Sequence, residues 1–331
     1  MAIYVMQGVS ELIRLAKIKP AILKPGDTVA VVAPASGVVN PTTIHFGQQL
    51  LENMGYRVKL GKAVYRRHGY LAGTDEERLQ DLEAVFADPE VKAIICLRGG
   101  YGALRLLEKL NLQVVKENPK ILLGFSDITA LHIAVNQLTG LITFHGPVLN
   151  SMVSWLGDYT RENLLKVVAS PAPAGALTNP ETGPRLFAIS GGKGSGELIG
   201  GNLSLICATL GTPFEINTNG KILFLEEVGE EPYRIDRMLT QLELAGKFDD
   251  VKGIVIGESV ECVPKKFKPS FSCSFSLEEV IIERFKGMKV PVLYNLACGH
   301  GREKLTLPMG VAATLDADSG ILYLREGAVK R

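Results

Sequence analysis

The chain has 331 residues, 46% hydrophobic and 21% charged, and its 36 basic and 35 acidic side chains leave a formal net charge of +1. That length suits about two globular domains with substantial cores. Balanced charge without long single-sign runs gives no electrostatic footprint for nucleic acid or an anionic membrane, and no run of about 18 apolar residues is available to span a bilayer.

The opening MAIYVMQGVSELIRLAKIKP is broken by Glu11, Arg14 and Lys17 before a signal-peptide core forms, so a cytoplasmic protein is expected. Short apolar runs then alternate with helix-like stretches of ten or more residues. The runs fall at 28–33, 57–60, 91–97, 121–124 and 141–144. This βα series predicts a doubly wound parallel sheet over residues 19–166, with ligands bound beyond the carboxyl ends of the strands. Three of those ends carry unusual turns: APASG at 33–37, RGGYG at 98–102 and GFSD at 124–127.

Residues 167–196, rich in Pro, Gly, Ser and Thr, read as a linker, and GGKGSG within it as a flexible connection. Residues 197–331 continue a mixed strand and helix pattern, which predicts a second, smaller α/β domain. That half includes a strand over 221–225, and Pro232 opens a helix that stops at Gly246. LTLPMGVAATLDADSGILYLRE closes the chain with period-two strands.

Ser126 lies between the run at 121–124 and a helix whose apolar positions are Ile128, Leu131, Val135 and Leu138 and whose stop is Gly140. It is either an ordinary N-cap or a hydroxyl held at the tip of a strand. Of the five histidines, His45 and His68 lie in unremarkable helical and charged stretches. His132 falls off the apolar stripe as a surface or satisfied residue, and His145, in FHGP, is a candidate to line a cleft. His300, in ACGHG directly after an apolar run, is where a general base belongs. Glu226 and Glu227 end the strand at 221–225, whereas Glu230 and Glu231 precede a helix N-terminus that favours carboxylates for structural reasons.

A nucleophilic hydroxyl needs a base and a group to orient that base, and Ser126, His300 and Glu226 form one such set. The Asp127 N–H and an N–H from the Gly99-Gly100 turn are candidates to bind an oxyanion. Neither GxxxxGK[ST] nor GxGxxG occurs, and no HExxH or CxxC spacing points to a metal. The five cysteines are scattered, with Cys96 and Cys207 inside apolar runs as core thiols.

RGGYGALRLL, GFSDITAL, FHGP, GELIGGNLSLICATLGTPFE, LFLEEVGEEPYRIDRMLTQL and GHGREKLTLPMG, in this order, resemble the LD-carboxypeptidase family of serine peptidases, which includes the microcin C immunity proteins. The resemblance runs from about Lys19 to the C-terminus; the preceding residues lie ahead of the family's usual start. It implies a flavodoxin-like N-terminal domain and a smaller α/β domain with the triad at their junction. Ser126 would be the nucleophile, Glu226 the orienting acid and His300 the base, with the Gly100 and Asp127 amides as the oxyanion hole. Where the family often has Glu-Asp, this chain has Glu226-Glu227, and Glu226 occupies the first position.

The implied reaction is hydrolysis of an amide between an L-centre and a terminal D-amino acid, as in release of D-alanine from murein tetrapeptides in cell-wall recycling. It needs no cofactor, and the family's habit implies a homodimer. Arg98, Arg234 and Arg237 are candidates to hold the substrate's free carboxylate. Immunity-type action on aminoacyl-nucleotide peptides is the alternative within the family, and a non-catalytic solute-binding protein the alternative outside it.

Overall fold

The computed structural model describes residues 15–265 and 273–331. The segment ahead of Leu15, most of the expected N-terminal extension, lies outside the described residues. In the first half β1 (Thr28–Val32), α1 (Thr42–Asn53), β2 (Arg57–Leu60), α2 (Asp75–Ala87), β3 (Val91–Cys96), α3 (Leu112–Glu117), β4 (Ile121–Gly124), α4 (Thr129–Thr139) and β5 (Thr143–His145) follow in alternation. The five strands are parallel, in the order β5-β4-β3-β1-β2. This is the flavodoxin-like winding, in which strand order reverses between β1 and β3 and opens a crevice at their carboxyl ends.

Local chemistry explains the elements. β1 reads TVAVV and is buried throughout, as a strand covered on both faces must be. Thr74 and Glu77 close a capping box at the start of α2, and Gly140 ends α4 in the left-handed conformation at φ 81°.

Helices α5 (Leu149–Ser154) and α6 (Asp158–Val168) lead into the second half. It contains β6 (Gly175–Leu177), β7 (Phe187–Ser190), β8 (Lys193–Asn202), α7 (Leu203–Ala208), β9 (Lys221–Glu226), α8 (Pro232–Leu244), β10 (Gly253–Gly257), α9 (Leu277–Phe285), β11 (Val292–Leu296), β12 (Leu307–Met309), β13 (Ala312–Asp316) and β14 (Ile321–Leu324). The second sheet has the order β6-β14-β13-β8-β9-β10-β11-β7, with β8 to β11 parallel and antiparallel strands on both flanks.

Three features differ from the sequence expectation. The segment 167–196 is not a plain linker: it supplies β6, β7 and the start of β8, and the last four residues of GGKGSG open an interior strand. Its glycines serve close approach, since a Cβ on Gly196 would lie 2.5 Å from the Gly220 carbonyl oxygen. The closing strands do not stay together either, because β12 crosses back to pair antiparallel with β5 as the sixth strand of the first sheet. Finally, α4 is buried on nearly every face because both domains cover it. Ile133 joins the core of the second half, while Leu138, assigned to the apolar stripe, is 40% exposed.

The halves are therefore bound at many points. Asn136 Nδ2 donates to the Leu141 and Met309 carbonyls, Gln137 Nε2 to that of Glu215, and the Asn202 amide to Thr129 Oγ1. One apolar core runs from Val29 and Phe144 through Phe224 to Leu315. Each fully buried Phe in it contributes roughly 1.5–3 kcal/mol.

Candidate active site

β4 ends in Gly124, and the chain reverses so tightly that a Cβ there would lie 2.9 Å from Ile128 Cγ2. Phe125 is extended at φ −154°, and Ser126 then adopts φ 62°, a left-handed conformation that L-residues rarely take. Such strain costs about 1–3 kcal/mol and persists only where surrounding structure enforces it. Ser126 is not a helix N-cap: α4 starts at Thr129, its N-cap is Ile128, and no side chain caps it. The Ser126 hydroxyl makes no hydrogen bond to a described residue.

The enforcement comes from the loop after β3. Gly99 packs so closely that a Cβ on it would lie 2.8 Å from Ser126 Cβ and 3.3 Å from the Asp127 nitrogen. Gly100, at φ 110°, approaches Ser36 of the loop after β1, and Ser36 Oγ accepts from the Tyr101 amide at 3.2 Å. The Asp127 carboxylate accepts from the Ala103 amide at 2.7 Å, tying the glycine loop to the serine turn. Burial pushes the Asp127 pKa up, against the pull of the Ala103 and Gly102 amides. The loops after β1 and β3 flank the reversal of strand order, and the loop after β4 lies beside them on the next strand.

The second half contributes the other groups. Glu226 is the last residue of β9, and His300 lies on the loop after β11. His300 Nδ1 and Glu226 Oε2 are 2.6 Å apart, with the Glu226 side chain fully buried and that of His300 16% exposed. The imidazole packs against Phe125, ring centroids 4.7 Å apart, and thus beside the neighbour of Ser126 in the chain. Glu227 points elsewhere: it accepts from Asn202 Nδ2, from the Ser204 amide and hydroxyl, and from the Val228 amide. Adjacent strand positions face opposite sides, which separates the two glutamates.

Two further histidines lie behind the site rather than at its mouth. His145, expected to line a cleft, is buried, and its Nε2 meets the Cys298 carbonyl at 2.8 Å across the domain junction. His132 is buried too, not at the surface, with Nε2 on the Gly124 carbonyl at 2.8 Å. Desolvation lowers their pKa values, to about 4 for His145 and about 3 for His132.

Of the arginine candidates, Arg98 stands beside the glycine loop. Its guanidinium contacts the Gly37 carbonyl at 3.4 Å and would be 3.8 Å from a Cβ on Gly100. Arg234 is held by Glu230 and the Tyr233 hydroxyl, and Arg237 lies over the Tyr233 ring. These two keep to the surface of α8 and do not join Arg98.

Sequence reasoning passed over Lys304 and Glu258. Lys304 is buried, donates to the Gly301 carbonyl, and lies 5.0 Å from the Phe125 ring centroid. Burial lowers its pKa, opposed first by Glu258 and then by Glu226. A lysine next to the loop that carries a candidate base was the available signal, but nothing local marked it as buried.

Both halves of the chain resemble known proteins. The LD-carboxypeptidase N-terminal domain model matches residues 29–146 and the LD-carboxypeptidase C-terminal domain model residues 195–315. A protein of Bacillus subtilis (strain 168) described as "probable murein peptide carboxypeptidase" is 42% identical over 319 residues, covering 94% of this chain and 97% of that one. The murein tetrapeptide carboxypeptidase of Pseudomonas aeruginosa is 33% identical over 88% of this chain and 93% of its own. Among solved structures, the microcin C7 self-immunity protein MccF in complex with aspartyl sulfamoyl adenosine superposes with a TM-score of 0.85 at 28% identity, covering 95% of this chain and 100% of that one. The matched regions contain Ser126 in the first half and the Glu226–His300 pair in the second, and the chain belongs to the LD-carboxypeptidase family, as a serine-type carboxypeptidase and hydrolase.

Proposed function

We propose that the protein releases a C-terminal D-amino acid, D-alanine, from murein tetrapeptides in cell-wall recycling, through a Ser126–His300–Glu226 triad and an acyl-enzyme. The single observation that carries this reading is the 2.6 Å Glu226–His300 contact, with the imidazole packed on Phe125 beside a strained serine. Bonding through Nδ1 fixes the tautomer and leaves Nε2 to take the Ser126 proton. The serine hydroxyl, uncommitted to any described residue, meets that nitrogen once substrate is seated.

Attack by Ser126 Oγ on the scissile carbonyl puts negative charge on its oxygen. The Gly100 and Asp127 amides stabilise that charge from two sides of the serine turn. Collapse expels the D-amino acid amine, protonated by His300. Water then attacks the ester, with His300 again as base, and Ser126 is regenerated. Arg98 is the arginine best situated to hold the free carboxylate, since it borders the glycine loop.

Incubation with a murein tetrapeptide and mass spectrometry for free D-alanine tests the reading, and an intact peptide would refute it. The likeness to MccF supports a second substrate class, aminoacyl-nucleotide compounds. Against it, Phe187 packs on Tyr294, and one face of Trp155 is covered by the Arg302 guanidinium. Side-by-side turnover of both substrates decides between them. A homodimer is part of the same reading, and sedimentation at the mass of a single chain would remove it.

A further inference from the structure

The loop that carries His300 leaves β11 after Leu296 and closes on itself, where the Leu305 amide donates to the Ala297 carbonyl at 2.7 Å. Its two glycines bring it down on Glu258. A Cβ on Gly299 would collide with the Glu258 carbonyl, and one on Gly301 with the Glu258 carboxylate. At Gly299 the obstacle is backbone, so no larger residue fits there without lifting the loop. Lys304, the last residue before the closure, turns back inside. Its ammonium donates to the Gly301 carbonyl, one residue past the candidate base, and lies 5.0 Å from the Phe125 ring centroid. The Lys304 amide donates to Thr160 Oγ1 at 2.9 Å, which ties the residue's backbone to α6.

A buried ammonium is costly to keep, and Lys304 is only 7% exposed. Two buried carboxylates compensate it, Glu258 foremost and Glu226 after it. Each of them has one oxygen buried without a hydrogen bond, Glu258 Oε2 and Glu226 Oε1, so hydrogen bonds alone do not answer their charge. Phe125 is where this cluster meets the chemistry. Its ring packs on the His300 imidazole at 4.7 Å and under the Lys304 ammonium at 5.0 Å, and its backbone leads directly into Ser126. The attraction of a cation for an aromatic face strengthens where water is excluded. One ammonium thus grips the residue after the base and the residue before the nucleophile, which come from different halves of the chain.

We infer that Lys304 is a positioning residue for the hydrolysis: it holds the His300 loop in register with the Ser126 turn, and Glu258 is the counter-charge that keeps it there. The inference rests on the Ser126–His300–Glu226 reading. Lys304 does not touch the reacting atoms and acts through the placement of His300. Loss of its ammonium releases the Gly301 carbonyl and Phe125 together, so the imidazole shifts relative to the serine, and the damage falls on kcat rather than KM. A lysine kept only for stability predicts another pattern. Its loss strands the Glu258 carboxylate, and neutralising Glu258 repairs the damage.

The two patterns separate in a Glu258→Gln background, where no carboxylate is left stranded. Glu258→Gln alone is compared with Lys304→Met/Glu258→Gln by steady-state release of D-alanine from a murein tetrapeptide, or by turnover of an aminoacyl-nucleotide compound if that is the substrate the wild-type chain accepts. Urea midpoints are measured on the same samples. The expected result is a kcat in the double variant about 10²-fold below that of Glu258→Gln, with KM nearly unchanged and matching urea midpoints. A double variant that equals Glu258→Gln in kcat, or whose loss lies wholly in KM or tracks a lowered urea midpoint, would overturn the inference. Should the methionine variant not fold, Lys304→Gln/Glu258→Gln gives the same comparison with a polar side chain of smaller bulk. Failure of the triad reading is a separate outcome, wild-type kcat in His300→Ala, and is read without either Lys304 variant.

Discussion

At Ser126 the backbone supplies information that the residue's identity does not. A serine at φ 62° has been forced there by Gly99 on one side and the Gly124 reversal on the other. Ala has the same Cβ and meets the same strain, so Ser126→Ala is expected to lower kcat by about 10⁴- to 10⁶-fold with no change in circular dichroism or melting temperature. Release of D-alanine measures the first, and wild-type rates would defeat the nucleophile assignment. The paired glutamates give a sharper test. Glu226→Gln should lower kcat by roughly 10³- to 10⁴-fold by spoiling the imidazole's orientation, with little effect on urea unfolding. Glu227→Ala should instead cost about 2–3 kcal/mol of stability, because it strands buried donors on Asn202 and Ser204. Urea denaturation and steady-state kinetics on both variants reveal whether the two roles separate in this way.

At the level of elements, the loops after β1, β3 and β4 work as one unit. Ser36 holds Tyr101, Asp127 holds Ala103, and Gly99 fits against the serine turn. Gly99→Ala would push a methyl to within 2.8 Å of Ser126 Cβ. Moving the nucleophile by a fraction of an ångström to an ångström is expected to lower kcat/KM about 10²-fold. Gly99 is buried, so the clash should also lower the urea midpoint, by about 1–3 kcal/mol of stability. A variant with unchanged kcat/KM would mean that the glycine loop does not set the serine's position.

The sequence made the strands of this unit legible: β2 and β4 coincide with the runs at 57–60 and 121–124, because hydrophobic runs bounded by glycine turns are local signals. It did not make β6, β7 and the start of β8 legible. A strand built from KGSGELIGGN has few apolar side chains to advertise it, and its glycines are explained only by neighbouring backbone that the sequence does not show.

For the whole molecule, the junction is where folding and chemistry depend on each other. β12 joins the first sheet, and His145 reaches across to the Cys298 carbonyl, two residues before His300. His132 and His145 are buried and neutral, with pKa values of about 3 and about 4 against an ordinary 6.5. The unfolded chain therefore binds protons that the native state refuses as pH falls from about 6.5 toward 4. Their contribution to stability is present above pH 6.5 and is lost through that interval, by on the order of 5 kcal/mol for the pair at pH 4.5. Urea midpoints at pH 7.5 and 4.5 measure the loss. His145→Gln, which keeps a donor for the Cys298 carbonyl, should shrink it, and an undiminished loss would remove His145 from the account.

The sequence alone determined the alternation of strands and helices, the glycine turns at the strand tips, and the residue types able to perform acyl transfer, since each is encoded within a few neighbouring positions. Tertiary structure alone decided that Glu226 rather than Glu227 meets His300, that His132 and His145 are buried, and that Lys304 lies against Phe125. Those outcomes depend on which faces of distant segments come together, and burial and pairing across the junction are properties of that assembly rather than of any local stretch of chain.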